Sequence, residues 1–221
     1  MSFVPPKEVD NVNHIENVSM KVDDVNPRGG QHVNPVDTRH KLLDAAQDLL
    51  DEGGPTAVTL REVGRRAGVS HNAPYKHFTS KEGILAELAA RELTVLHDSL
   101  AGDLASGLTA GAALARSVAD QTERAVTYPE RYRLIYGRWE SSDLLDDVAA
   151  GSSALLAQTV RDAQAAGEIA AGDPERISAL LRATVRGAAE LQSAGHLSAD
   201  GKGHANATDL VDDLLRFLRA T

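Results

Sequence analysis

Residues 59–81, TLREVGRRAGVSHNAPYKHFTSK, decide how the rest of this chain is read. Thr59 and Glu62 stand at the spacing of a capping box: a hydroxyl for the amide three residues on, and a carboxylate for the cap's own amide. Leu60, Val63 and Ala67 recur at helical spacing and give a short helix one apolar face. Gly68 follows where that face runs out, a place where glycine enters the left-handed region without steric cost. Val69 buries the turn. Ser70 is placed to cap a second helix beginning near His71, with Pro74 in or just after its first turn. Thr79 and Glu82 form a second capping box, with Ser80 as a competing cap, and start a third helix.

Two short helices joined by a Gly-containing turn make a helix–turn–helix, whose second helix offers its N-terminal side chains to base edges. Those side chains are His71, Asn72 and Ala73. An Asn pairs bidentately with adenine, and an Ala methyl touches only a thymine methyl. Tyr75, Lys76, His77 and Lys81 suit phosphates, which fix register without reading sequence. Helix–Gly–helix patterns also occur in ordinary bundles, and local charge separates the two readings. From Val58 to Lys81 five cations (Arg61, Arg65, Arg66, Lys76, Lys81) stand against one anion, Glu62, in a chain of net charge −9. A basic island in an acidic protein is the electrostatic footprint of nucleic-acid contact.

The stretch from about Thr38 to Leu93 resembles the DNA-binding domain of the TetR family of bacterial regulators. The resemblance is carried by T-R-x-x-L-L-D-A-A at 38–46, the Leu50-Asp51-Glu52-Gly53 helix end, L-R-E-V-G-R-R-A-G-V-S at 60–70, Y-K-H-F at 75–78 and S-K-E at 80–82. It implies an all-α fold: a three-helix helix–turn–helix domain over residues 37–97, then a helical ligand-binding and dimerisation domain over residues 98–221. It also implies a homodimer through the last two helices, and phosphate contacts at Thr59, Tyr75 and Lys81. Gly64 departs from the family's usual Ala, at a cost of about 1 kcal/mol in a helix interior.

Composition sets the outer bounds. The chain is long enough for a proper core, and its 42% hydrophobic and 25% charged residues are ordinary for a globular protein. It holds no Cys, which excludes disulfides, thiolate metal sites and Cys nucleophiles. No apolar run reaches membrane-spanning length and no signal-peptide pattern opens the chain, so a cytoplasmic protein is expected. Residues 1–37 carry three cations against six anions, residues 38–81 seven against five, and residues 82–221 thirteen against twenty-one. An acidic body behind a basic tip orients a protein on DNA and discourages wrapping.

Residues 1–36 are polar without sustained periodicity and read as a disordered arm, with Met20 as an alternative start. A first helix is expected over Thr38–Glu52, ended by Gly53-Gly54-Pro55, and a long one from Lys81 to about Leu100 with Ile84, Leu85, Leu88, Val95 and Leu96 on one face. A Gly-containing connection follows at 101–108. Further helices are expected at 109–127, from Tyr128-Pro129, at 142–166, from Asp173-Pro174 to about Ala194, and at 207–218. The last two place Ile177, Leu180, Leu181, Thr184, Val185, Ala188 and Leu191, then Leu210, Val211, Leu214, Phe217 and Leu218, on single faces. Such helices suit a four-helix bundle of two subunits, or burial within one chain.

The second half carries the ligand expectation. Tyr128, Tyr132, Tyr136 and Trp139 form an aromatic stripe at helical spacing, a pattern of cores more often than of pockets. His97, Tyr132, Tyr136 and Trp139 are the candidate ligand contacts. The segment Y-P-E-R-Y-R-L-I-Y-G resembles a C-terminal domain variety named for Trp-His-Gly; the glycine falls on Gly187, while Arg182 and Arg186 take the other two places. Arg182, Arg186 and Glu190 share a helix face, read as a solvated stripe rather than an anion pocket. Histidines do not converge, no paired-His spacing occurs and no phosphate loop or nucleophile motif is present, so neither metal, cofactor nor catalysis is expected. The expected function is a repressor released from a palindromic double-stranded DNA operator by a small-molecule effector. The alternatives are an activator, a regulator that needs its ligand to bind, and, from another class, a small-metabolite enzyme.

Overall fold

The computed structural model describes residues 35–137, 139 and 143–219. The expected arm lies outside them, except that its last two residues already belong to the first helix. Among the described residues there are nine helices and no strand: α1 (Pro35–Ala57), α2 (Leu60–Arg66), α3 (Ala73–His77), α4 (Lys81–Ala105), α5 (Ala110–Thr127), α6 (Pro129–Leu134), α7 (Asp143–Ala165), α8 (Pro174–Ser193) and α9 (Ala207–Leu218). The all-α architecture expected from the sequence is the one observed.

Two cores organise these helices. The first joins Leu42, Ala46, Leu50, Val58, Val63 and Phe78 to Ile84, Leu85 and Leu88 of α4. The second joins Leu100 of α4 to Leu114, Val118, Val160, Leu181, Val185 and Val211. Both therefore share α4, and both share α6, which sends Leu134 into the first core and Tyr132 into the second. The division between the two parts falls inside α4, where its buried residues pass from one core to the other.

Local chemistry sets the helix ends. α1 breaks at Gly53 and Gly54, the latter at φ +66°, and Pro55 opens a last turn to Ala57. Asp173 caps α8 by accepting from the amides of Glu175 and Arg176, with Pro174 first inside. Asn206 and Asp209 form a reciprocal capping box on α9, a signal that the sequence reading passed over. α4 runs a turn past the expected Leu100, through Gly102, and the connection shrinks to residues 106–109. Not every expected face is covered: Val95 on α4, Leu180 and Leu191 on α8 and Phe217 on α9 are exposed, Phe217 at 83%. Periodicity marks an apolar face and is silent on whether the same chain covers it.

Candidate nucleic-acid interface

The helix–turn–helix forms with three changes from its expected details. Thr59 caps α2, its hydroxyl accepting from the Glu62 amide at 3.2 Å, but the Glu62 carboxylate turns to Arg65 rather than back to the cap. The second helix begins at Ala73, after Asn72, so His71 precedes it; the Ser70 carbonyl, not its hydroxyl, receives the Ala73 amide at 2.9 Å. Ser80, not Thr79, caps α4 by accepting from Gly83 at 3.0 Å, and no second capping box forms. Gly68 does take the left-handed conformation, at φ +66°.

Gly64 explains its own departure. A Cβ built there would lie 2.7 Å from Pro74 Cγ, closer than real Cβ contacts come. The bare glycine lets the proline ring of α3 sit directly on α2 and draws the two helices together.

The outward face of α3 carries the expected residues. His71, Asn72, Tyr75 and Lys76 are exposed, Ala73 and His77 half-buried. Asn72 makes no capping bond with its side chain, which leaves its carboxamide free. His71 rests edge-on against Tyr75, ring centres 6.0 Å apart. Thr59 is exposed and Lys81 half-buried at the start of α4. The basic island is smaller than its composition implies. Arg65 is committed to Glu62 and Arg66 to Glu52, whose hydrogen bonds raise both guanidinium pKa values and lower those of both carboxylates. Among the described residues Arg61, Lys76 and Lys81 have no carboxylate partner, and these are the cations left for an external anion.

Behind this face a chain of charged contacts ties the two cores. Glu92, 4% exposed on α4, accepts a two-pronged bond from Arg124 of α5 at 2.7 and 2.8 Å. The guanidinium groups of Arg124 and Arg131 both lie over the Tyr128 ring, 5.9 and 4.3 Å from its centre. Arg131 in turn holds Asp51 of α1, Nε to Oδ1 at 2.7 Å. Arg133 reaches Glu190 of α8 at 3.0 and 3.1 Å.

The second part holds a partly open cavity of about 310 Å³ between α4, α5, α7, α8 and the turn that follows α6. Of the four candidate ligand contacts, His97 and Tyr136 line it. Tyr132 is buried beside it, its hydroxyl 3.3 Å from that of Tyr136, and burial pushes its pKa up. Trp139 is elsewhere: it packs against the first core and donates from its indole N–H to the Leu134 carbonyl at 2.7 Å. It covers Gly137 so closely that a side chain there would overlap the ring. The stripe diverges because α6 ends at Leu134 and the spacing of a continuous helix no longer applies. The polar residues Ser117, Gln121 and Ser152 also line the cavity and were not expected. Ser117 and Gln121 left a signal, two polar residues four apart on the otherwise apolar face of Leu114, Val118 and Ala125. Among the described residues no group of three or more His, Asp or Glu could hold a metal ion.

Residues 42–88 match the family described as bacterial regulatory proteins, tetR family, and residues 123–218 match tetracyclin repressor-like C-terminal domains. The chain belongs to the TetR family. This is a family of transcriptional regulators, not of enzymes. Among curated TetR-family relatives, the transcriptional repressor KstR2 of Rhodococcus jostii is 37% identical over 76 residues, 34% of this chain and 37% of that protein. The match thus spans little more than a third of that relative's length. A solved protein of unknown function from Rhodococcus sp. RHA1 is 30% identical, with a TM-score of 0.70, over 87% of this chain and 99% of that one. The regulator FadR of Bacillus subtilis, solved with stearoyl-CoA, has a TM-score of 0.64 at 18% identity over 81% of this chain and 97% of its own, a likeness of fold. No helix among the described residues of this TetR-family chain is long and apolar enough to cross a membrane.

Proposed function

We propose that this protein is a sequence-specific DNA-binding repressor that leaves a palindromic operator when a small molecule fills its C-terminal cavity, and that it works in the cytoplasm, where the DNA is. The observation that carries this reading is the exposed face of α3. It holds a free carboxamide at Asn72, flanked by Arg61, Lys76 and Lys81 without carboxylate partners. His71, Asn72 and Ala73 read bases; Thr59, Tyr75, Lys76, His77 and Lys81 hold phosphates. Thr59 suits the task because its oxygen is taken by the cap and its O–H remains to donate.

The homodimer follows from the uncovered apolar side chains of the last two helices. Leu180 and Leu191 lie three turns apart on α8, and Phe217 on α9 is almost wholly in solvent. Pairing these faces across a two-fold axis buries them and presents two α3 helices to two half-sites, which successive major grooves separate by about 34–36 Å. KstR2 is itself a repressor, and FadR, which is alike in fold, is a transcriptional regulator solved in complex with stearoyl-CoA. An effector moves the equilibrium only by binding the released form more tightly. α4 and α6, shared by both cores, carry that preference to α3.

The test is footprinting on DNA upstream of the protein's own gene, followed by titration of the protected sequence with variants. Lys81→Ala should weaken binding to every sequence and lower the salt slope by about one. Asn72→Ala should flatten base preference at one position per half-site, by about 1–3 kcal/mol of discrimination. Equal loss on all sequences would remove Asn72 from the base readers.

A further inference from the structure

The polar groups of the C-terminal cavity are unequally satisfied. Ser117 and Gln121 serve each other, the Gln121 amide donating to the Ser117 hydroxyl at 3.2 Å. The Ser152 hydroxyl oxygen, by contrast, is shut away from solvent with no hydrogen-bond partner among the described residues. Arg182 lines the same cavity, half-buried, and makes only a long contact of 3.4 Å with the Ser153 hydroxyl. No carboxylate among the described residues pairs with it. The acid that shares its helix face, Glu190, is held by Arg133 at 3.0 and 3.1 Å. One turn along α8, Arg186 lies 4.7 Å over the ring of Tyr136, itself in the cavity wall, and has no carboxylate partner either.

A half-buried guanidinium lining a largely apolar cavity without a carboxylate, and a buried hydroxyl without a partner, both leave bonding capacity unmet. Both can donate, and both border one space. The remaining wall is mostly hydrocarbon: Leu93, Leu96 and Leu100 of α4, and Leu155 and Leu156 of α7. At about 310 Å³ the space lies at the small end of ligand cavities.

We propose that the effector is a small amphipathic monocarboxylate, its carboxylate accepting from Arg182 and Ser152 and its hydrocarbon body lying against the leucines of α4 and α7. This rests on the effector reading above and names the chemistry that the cavity selects. A carboxylate fits better than a phosphate, because Arg182 is the one guanidinium among the lining residues and balances one charge. Under this proposal Arg182 does more than belong to a solvated stripe, since it also lines a largely apolar, partly open cavity.

The test is calorimetric titration of the full chain with octanoate, octanamide, octyl phosphate and octanoyl-CoA, with no DNA present. Octanoate should bind at least about tenfold more tightly than octanamide, the loss expected when a charge-assisted hydrogen bond is replaced by a neutral one. Arg182→Gln should bring octanoate down to the amide's affinity and leave the amide unchanged. Arg182→Lys should recover part of the difference, and circular dichroism should show both variants folded. Equal binding of acid and amide, an unchanged ratio in Arg182→Gln, tighter binding of the phosphate or the thioester, or no octanoate binding would each overturn the proposal. Footprinting reads the regulator function separately. Octanoate selectivity without operator protection would sink the repressor and leave the ligand class standing.

Discussion

At Gly64 two rules of helix chemistry pull in opposite directions. Alanine is the better helix former by about 1 kcal/mol, yet its methyl group would need the place that the Pro74 ring occupies. A proline ring cannot swing aside as a long side chain can, so crowding wins. Gly64→Ala should destabilise the protein by up to about 2 kcal/mol net in urea unfolding, because overpacking typically costs about 1–3 kcal/mol and the better helix former returns about 1 kcal/mol. A more stable variant would mean that α3 shifts freely on α2. Sequence exposed the anomaly at Gly64 but not its cause, since the contact joins residues whose approach depends on the turn between them. His71, Asn72, Tyr75 and Lys76 could be read off directly, because an exposed face needs no partner to be identified. The pairing of Arg66 with Glu52 could not, being a meeting of separate helices.

Element ends were predicted by spacing, and spacing alone leaves rival caps undecided. Thr79 and Ser80 both qualify, and the hydroxyl that reaches an amide is that of Ser80. The helices themselves were plain from the apolar period; where they stop was less so, as α4 shows by running through Gly102. Within α4 the residue with most at stake is Glu92, a buried carboxylate with a single forked partner in Arg124. That bond raises the Arg124 pKa, so the guanidinium stays charged at any ordinary pH. Glu92→Gln should cost about 2 kcal/mol, less than the 3–5 kcal/mol of a fully buried pair because 26% of the Arg124 side chain still meets water. Chemical denaturation measures it, and an unchanged midpoint would show that the pair is replaceable by a neutral bond.

For the whole molecule, the acidic body and basic tip were visible in composition, and the two cores in periodicity. The identity of the surface left uncovered was not, because an apolar face looks the same in sequence whether it meets its own chain or another. Phe217→Glu combined with Leu191→Glu should convert a dimer into a folded monomer in sedimentation velocity and abolish protection of the two half-sites together. A double variant that remained dimeric would move the interface off α8 and α9. The place of Trp139 bears on all such measurements. It is the sole tryptophan of the chain, three residues beyond the cavity wall at Tyr136 and packed against the core that carries α3. Its emission therefore comes from one site, beside the junction of the two cores. On the function proposed above, that indole is a built-in optical gauge of whether a ligand event is transmitted, without any label attached.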